Sequence, residues 1–455
     1  MRLTRHTRHS QERAGERTLR VRPRRLGPAL LIATALTFTA SPAPAAAAET
    51  AESSASAEDR TVKLTAFPVV EIQRLAQDVP QEILRRSGFD AVAPAFEGAL
   101  RDARTPAAAA RTVERHGTAL WKRAVDRAQG RGPDGGDLNR NDDRPLYWAR
   151  LGMILELRQW QPEFTLSEEA RTRLLGKLER SSRGQDALTF ADKKSTKKSA
   201  KKLKRIVVTG FDPFTLDTDV RISNPSGATA LALDGTVIEA AEGPALVKAA
   251  VFPVRWQDFA DGTVEKTLRR PLAQADLFAT VSQGRVGRID VERFNGAWRG
   301  GFADNEGAEF TGPVPVRDPA TQPQWTTTSL PYGAITAAAT GPFPVYDNTS
   351  VTEIPAGGTT AVVRPNGPTP GSEARLGGGG NYLSNEIAYR ATLLRDRLGL
   401  DIPGGHIHTP VLRFGAGNIS PWTGTVTDPV FEQNRADIIA QVRTIIQVAI
   451  EASTT

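Results

Sequence analysis

Apolar positions divide the chain into two textures. Between residues 61 and 190 they recur every three or four places: Val69, Val70, Ile72 and Leu75, then Val113, Leu120, Trp121, Ala124 and Val125, then Leu146, Leu151, Ile154 and Leu155. That spacing gathers them on one face of each of a series of helices. Pro145 suits the first turn of the third pattern. Thr165-Leu-Ser-Glu168 has the form of a capping box ahead of Leu174, Leu175 and Leu178. The polar, glycine-containing stretch 130–143 reads as the loop between the second and third patterns. From residue 205 onward the apolar residues come instead in short runs. Ile206-Val-Val208 precedes Gly210, and residues 246–254, residues 277–281 and the run around Ile407 are similar. These runs alternate with helical patterns: one opened by Asn224-Pro225 and stopped by Gly235, one from Asn385 to Gly399, and a last one from Asp428-Pro429 through Ile438, Val442, Ile445 and Ala449. Strands alternating with helices predict an α/β domain, a mixed, largely parallel sheet with helices on both faces, preceded by a separate all-α N-terminal region. Residues 331–376, rich in Gly, Pro and Thr, follow neither period and read as a long loop in which no helix can be placed.

Charge changes the picture at two places. The formal net charge of +7 suggests a polyanion as partner, but residues 1–48 alone hold nine arginines against two glutamates, which accounts for the whole of it. That segment has a basic start, an apolar stretch at 26–40 and Ala45-Ala-Ala-Ala48 as a small-residue cleavage site, so it reads as a signal peptide and the protein as secreted. Arg24-Arg25 is a weak match to a twin-arginine signal, the alternative to the general secretory route. The second place is 193–205, with seven lysines and an arginine in thirteen residues. Like charges at that density keep a segment solvated, so 191–205 reads as a domain linker and a candidate contact for an acidic surface. Residues 49–60 form a disordered lead-in, 61–190 a helical domain, and 206–455 the α/β domain. No nucleic acid is expected as a partner, and no later apolar run is long enough to span a membrane.

Cysteine is absent, which excludes disulfides, thiolate metal sites and a thiol nucleophile. Past residue 48 there are three histidines: His116, His406 and His408. His116 sits inside a helical pattern and reads as structural. His406 and His408, two apart on a strand, share a face and suit either a general base or a metal pair lacking a third ligand. Gly377-Gly-Gly-Gly380 reads as a tight turn that delivers Ser384 to a helix N-terminus. Ser384 there is either a cap or a nucleophile beside free backbone amides. Glu292 could orient His408, and Phe211 and Phe214 could wall a small apolar pocket, so the four segments fit the logic of a triad. Asn348-Thr-Ser350 and Asn418-Ile-Ser420 match the N-glycosylation sequon.

Taken together, residues 205–455 resemble the type I pyroglutamyl peptidases, also called pyrrolidone-carboxylate peptidases, which remove N-terminal pyroglutamate from peptides. The resemblance rests on Val208-Thr-Gly-Phe-Asp-Pro-Phe214, Asn224-Pro225, Ile289-Asp-Val-Glu-Arg293, Asp304-Asn-Glu-Gly307, Ser329-Leu-Pro331, Tyr382-Leu-Ser-Asn385 and Ile407-His-Thr-Pro410, in the family's order. It implies Ser384, His408 and Glu292 as catalytic residues, Phe211, Phe214, Asn224 and Arg285 as substrate-binding residues, a peptide with N-terminal pyroglutamate as partner, and neither metal nor cofactor. The family's nucleophile is a cysteine, and Ser384 stands at that position. Gly284-Arg285 lies one residue farther from Glu292 than the family spacing, the family's asparagine near Gly296-Ala-Trp298 is missing, and 331–384 is longer. The signal peptide and helical region are outside the family pattern. Two alternatives therefore accompany the peptidase: an inactive module that binds pyroglutamyl or similar peptides, and a serine hydrolase of another cyclic amide.

Overall fold

The computed structural model describes residues 69–133, 135–190, 203–241 and 243–453. The expected signal peptide and lead-in, and residues 191–202 of the expected linker, lie outside the described residues.

The first part is helical. It comprises α1 (Val70–Leu75), α2 (Asp78–Ser87), α3 (Val92–Arg101), α4 (Pro106–Ala128), α5 (Arg144–Gln159) and α6 (Glu168–Ser182). α5 is the central member. From Arg144 to Leu155 every residue is buried, as expected of a helix that is surrounded rather than amphipathic. α4 starts where the Thr105 hydroxyl accepts the amide of Ala108 at 3.2 Å and Pro106 takes the first position. α6 begins later than the Thr165–Glu168 spacing predicts. Ser167 is its cap, accepting from the Ala170 amide at 3.2 Å, and Glu168 is its first residue. Glu168 and Glu169 then lie in the first turn, where acidic side chains complement the helix dipole.

The second part is the α/β domain. Its elements are β1 (Lys204–Phe211), α7 (Pro225–Leu233), β2 (Val237–Ile238), β3 (Ala245–Phe252), α8 (Trp256–Ala260), α9 (Thr263–Leu272), β4 (Leu277–Gln283), β5 (Ile289–Glu292), β6 (Phe294–Gly296), β7 (Trp298–Arg299), β8 (Gly312–Pro313), β9 (Trp325–Thr327), α10 (Tyr332–Ala337), β10 (Val345–Asn348), β11 (Val351–Ile354), β12 (Val362–Arg364), β13 (Glu373–Leu376), α11 (Leu383–Arg397), β14 (Gly404–Thr409) and α12 (Pro429–Ala452). Seven strands form the main sheet in the order β10-β5-β14-β4-β1-β3-β2. β3, β1, β4 and β14 run parallel, β5 pairs antiparallel with β14, and β2 pairs antiparallel with β3. The sheet is mixed and largely parallel, as the run pattern predicts.

Alternate residues of β1 enter different cores. Ile206 and Val208 join a cluster that contains α12 and the buried faces of the N-terminal helices, whereas Val207 and Phe211 face α8, α9 and α11. Helices therefore cover both faces, and the N-terminal helical region contributes to one continuous core on one of them. The described residues form one compact unit.

Residues 331–376 are not the featureless loop expected from their composition. They hold the short helix α10, the edge strand β10, which pairs parallel with β5, and a small antiparallel sheet in the order β12-β11-β13. Strands of three or four residues carry too few side chains for a period of two to emerge from Gly, Pro and Thr. No helix among the described residues is long and apolar enough to cross a membrane.

Candidate active site

β5 and β14 place a histidine and a carboxylate on one face of the sheet. Their antiparallel register sets His406 opposite Glu292 and His408 opposite Asp290, so His408 and Glu292 are diagonal neighbours. His408 Nδ1 lies 2.7 Å from Glu292 Oε1. A carboxylate can only accept, so Nδ1 carries the proton, and Nε2 is the nitrogen that can act as a base. Glu292 is 0% exposed, and its second oxygen accepts from Asn348 Nδ2 at 2.7 Å. Asn348 is aligned with Glu292 in the β10–β5 register and also donates to the Gly378 carbonyl at 3.0 Å. This buried amide is committed to the site, so the Asn348 sequon cannot serve as a glycan acceptor. Asn418 is also engaged, its Oδ1 accepting from the Thr425 amide at 2.7 Å.

The four-glycine turn covers this pair. A Cβ on Gly378 would stand 2.1 Å from Glu292 Oε2, and one on Gly379 would stand 2.5 Å from His408 Cε1. On the other side of the imidazole, a Cβ on Gly284 would meet His408 Cβ at 2.7 Å. Glycine is required at these places because backbone lies directly against the catalytic candidates. The turn closes through the Gly377 amide on the Gly380 carbonyl at 2.7 Å and leads into α11.

Ser384 is the second residue of α11. The cap position belongs to Tyr382, whose side chain makes no capping bond, so the capping role considered for Ser384 is not its place. Its hydroxyl donates to the Gly379 carbonyl at 3.3 Å. Gly379 thus lies against both candidates, accepting from the serine through its carbonyl and leaving no room for a side chain beside the histidine. The amides of the first turn of α11 have no partner within the helix and carry the positive end of its dipole.

Beside Ser384 lies a pocket of ≈ 40 Å³ lined by Phe211, Phe214, Asn224, Ser282, Tyr382 and Ser384, among others. Three of the four residues expected to bind substrate meet there. Tyr382 packs on Phe214 with ring centroids 4.9 Å apart and edge-on to Trp256 at 4.9 Å. Burial, and then the charge of Asp304, push the Tyr382 phenol well above its ordinary value, so it stays neutral while donating to the Ala303 carbonyl at 3.2 Å. Asn224 lines the pocket but spends its side-chain atoms on the fold. Its Oδ1 accepts the Ser226 amide at 3.1 Å, capping α7, and its Nδ2 donates to the Asp212 carbonyl at 2.8 Å. Arg285 stands elsewhere. It pairs with Asp290 at 2.7 Å, lies 3.6 Å from Glu292 and reaches the Gly378 carbonyl at 3.3 Å, which makes it a brace of the glycine turn and the carboxylate.

The second histidine is occupied. Thr280 Oγ1 lies 2.7 Å from His406 Nδ1 and Ser282 Oγ lies 2.8 Å from Nε2, and the ring is fully buried. Burial first, and His408 second, hold His406 far below the ordinary histidine value, so it is neutral. With both nitrogens bound by hydroxyls it offers no lone pair, and no group of three or more His, Asp or Glu side chains among the described residues is placed to hold a metal ion. His116 is half-buried against Phe96, centroids 5.4 Å apart. Sequence reasoning misses the site role of Asn348, whose local pattern reads as a glycan acceptor, and misses Ser282, which carries no local motif. Tyr382 was visible only as part of the serine motif.

Residues 46–179 match the PA0049 N-terminal domain family, and residues 205–321 and 342–413 match the PA0049 C-terminal domain family. The Pseudomonas aeruginosa protein PA0049, an uncharacterized protein, is 33% identical over 462 aligned positions, which cover 80% of this chain and 83% of that one. The chain belongs to the PA0049 family. Among solved structures, a mutant pyrrolidone carboxyl peptidase from the hyperthermophile Pyrococcus furiosus is 24% identical, covers 54% of this chain and 98% of its own, and superposes with a TM-score of 0.38. The structures of that peptidase and its cysteine-free mutant give 22%, 55%, 99% and 0.36. Both domain-family matches lie in this one chain, the first largely over the helical region and the second over the α/β domain.

Proposed function

We propose that this PA0049-family protein is an exported serine hydrolase that removes N-terminal pyroglutamate from peptides. The observation that carries the reading is the 2.7 Å contact of His408 Nδ1 with the buried Glu292 carboxylate, next to a pocket sized for a small ring and lined by Ser384, Phe211 and Phe214. The motif resemblance of residues 205–455 to the pyroglutamyl peptidases supports it, and the signal-peptide pattern supports export.

In this mechanism Ser384 exchanges its bond to the Gly379 carbonyl for one to His408 Nε2. Nε2 takes the hydroxyl proton as Oγ attacks the pyroglutamyl carbonyl carbon. The oxyanion that forms faces the first-turn amides of α11, whose dipoles already point at it. Collapse breaks the C–N bond, and His408 returns the proton to the departing amine. Water, deprotonated by His408, then cleaves the acyl-serine ester and frees pyroglutamate. Glu292 holds the imidazole tautomer throughout and stabilises its cationic form. The aromatic walls at Phe211, Phe214 and Tyr382 bury the ring methylenes.

The bond from Ser384 to Gly379 favours a second reading, a binding module that holds a pyroglutamyl peptide without cleaving it. Release of a fluorogenic amine from its pyroglutamyl amide separates the two. The peptidase requires release by the wild type and its loss in Ser384→Ala. The binding module requires no release by the wild type together with saturable binding of the uncleaved amide. Recovered cleavage in Ser384→Cys alone would identify a pocket whose nucleophile has been lost.

A further inference from the structure

The segments that shape the pocket are tied to the N-terminal helical region at three separate points. Asp212 lies between the two pocket phenylalanines. Its carboxylate is bound by Arg183 of the stretch after α6, Nε at 2.9 Å and Nη2 at 2.8 Å, and by Arg150 of α5 at 2.7 Å. All three side chains are buried. The second point is Asn224. Its backbone amide donates to Asp143 Oδ2, at the start of α5, at 3.0 Å, and the neighbouring Ser223 hydroxyl bonds the other oxygen of the same carboxylate. The third runs through Asn305, which holds the Pro213 carbonyl at 2.9 Å and is itself held at its own carbonyl by Arg74 of α1 at 2.6 Å. The Asn224 side chain donates to the Asp212 carbonyl, so the first two points close into a ring.

Ties of this kind do more than glue two surfaces together. Removing one partner of a buried ion pair strands the other charge away from water, which is strongly destabilising, so each pair holds its partners together. They also converge on the loop at 211–214 and on Asn224, the two segments that line the pocket opposite α11. We propose that the helical region is a built-in part of this pocket, with Asp143, Arg150 and Arg183 as positioning residues that hold the loop at 211–214 and Asn224 in the shape that receives the substrate ring. The inference rests on the reading of the pocket as the pyroglutamyl site. The α/β part alone would leave the Asp212 carboxylate and the Asn224 backbone amide without these partners.

Asp143→Asn in the full chain is the first test. Burial, reinforced by Asp142, pushes the Asp143 carboxyl up to about 6, so a neutral amide of the same shape is tolerable there while one acceptor is lost. The expected result is a KM for the pyroglutamyl amide raised at least tenfold with kcat changed less than twofold, and faster amide hydrogen exchange across 211–227 at an unchanged melting temperature. A folded variant with wild-type KM and wild-type exchange would overturn the proposal. If the wild type cleaves nothing, the peptidase reading falls by itself and the exchange measurement still decides. If the variant does not fold, a protease site placed between Lys197 and Lys198 replaces it. The cut halves must then stay together through gel filtration with their exchange pattern intact. Separation of the halves with the 211–227 pattern preserved in the C-terminal one would overturn the proposal.

Discussion

Gly379 is the residue on which the proposed chemistry turns, because it touches serine and histidine at once. A methyl group there would stand 2.5 Å from His408 Cε1, and the ring cannot retreat from it without leaving Glu292. Gly379→Ala is expected to lower kcat/KM at least about 10²-fold, the scale of an ångström-sized misplacement, and to cost about 1–3 kcal/mol of stability as an overpacked site. Steady-state kinetics beside urea unfolding checks both, and unchanged kinetics would remove Gly379 from the account. Glu292→Gln keeps the shape but offers an amide where the imidazole needs an acceptor. A fall in kcat of about 10⁴-fold is expected, with the fold intact by circular dichroism. Much of this constellation was legible in the sequence: Ser384, His408 and Glu292 from the resemblance, and the glycine turn from its composition. Asn348 was not, since a lone asparagine 56 residues from its carboxylate leaves no local signal and resembles a glycan acceptor instead. Arg285 pairs with Asp290 and the Gly378 carbonyl rather than lining the pocket, a placement its charge and sequence proximity to Glu292 do not reveal.

At the level of elements, the strands that the sequence announced are the buried central ones. β1, β3 and β4 have helices on both faces, so apolar side chains point to both and the run stands out. The strands β10 to β13 sit at the margin, where Thr and Gly are tolerated and pairing through the backbone replaces a hydrophobic pattern. The helix starts at Asn224-Pro225 and Asp428-Pro429 were legible, and in both a side chain caps the first turn. Asp428 accepts the Phe431 amide at 2.9 Å and the Gly415 amide at 3.1 Å, so it fixes both the start of α12 and the loop before it. Asp428→Ala is expected to destabilise the protein by about 1–2 kcal/mol, read from the shift in urea midpoint at constant slope. No change would mean that the packing of α12 alone sets its start. α11 shows the limit of such reading. Its first turn is set by the glycine turn and by Asn385, whose Oδ1 accepts the Gly296 amide at 2.9 Å, rather than by the serine that resembles a cap.

Across the whole molecule, the helical region and the α/β domain fold around one another. Their separate textures were evident from the change in period at residue 205, but their union was not, because it depends on charged side chains that a hydrophobic pattern counts as surface. Arg144, Arg150, Arg183 and Arg435 are all among the fully buried side chains. Asp143 gives this junction a pH signature. Its folded value of about 6 lies above the ordinary 3.8, so the native state binds that proton more tightly. The stability that this protonation contributes is present below about pH 4 and is lost as the pH rises through 6. Asp143→Asn does not titrate, so its stability relative to the wild type should rise steadily between pH 4 and 7, measured as paired urea midpoints. A constant difference would contradict the assignment. The central claim, that Ser384 carries the acyl group, is tested most directly by intact mass after rapid acid quench with an activated pyroglutamyl ester. One added pyroglutamyl group is expected, located by peptide mapping to Ser384 and absent from Ser384→Ala. Hydrolysis that proceeds equally in Ser384→Ala, or an adduct on any other residue, would contradict it.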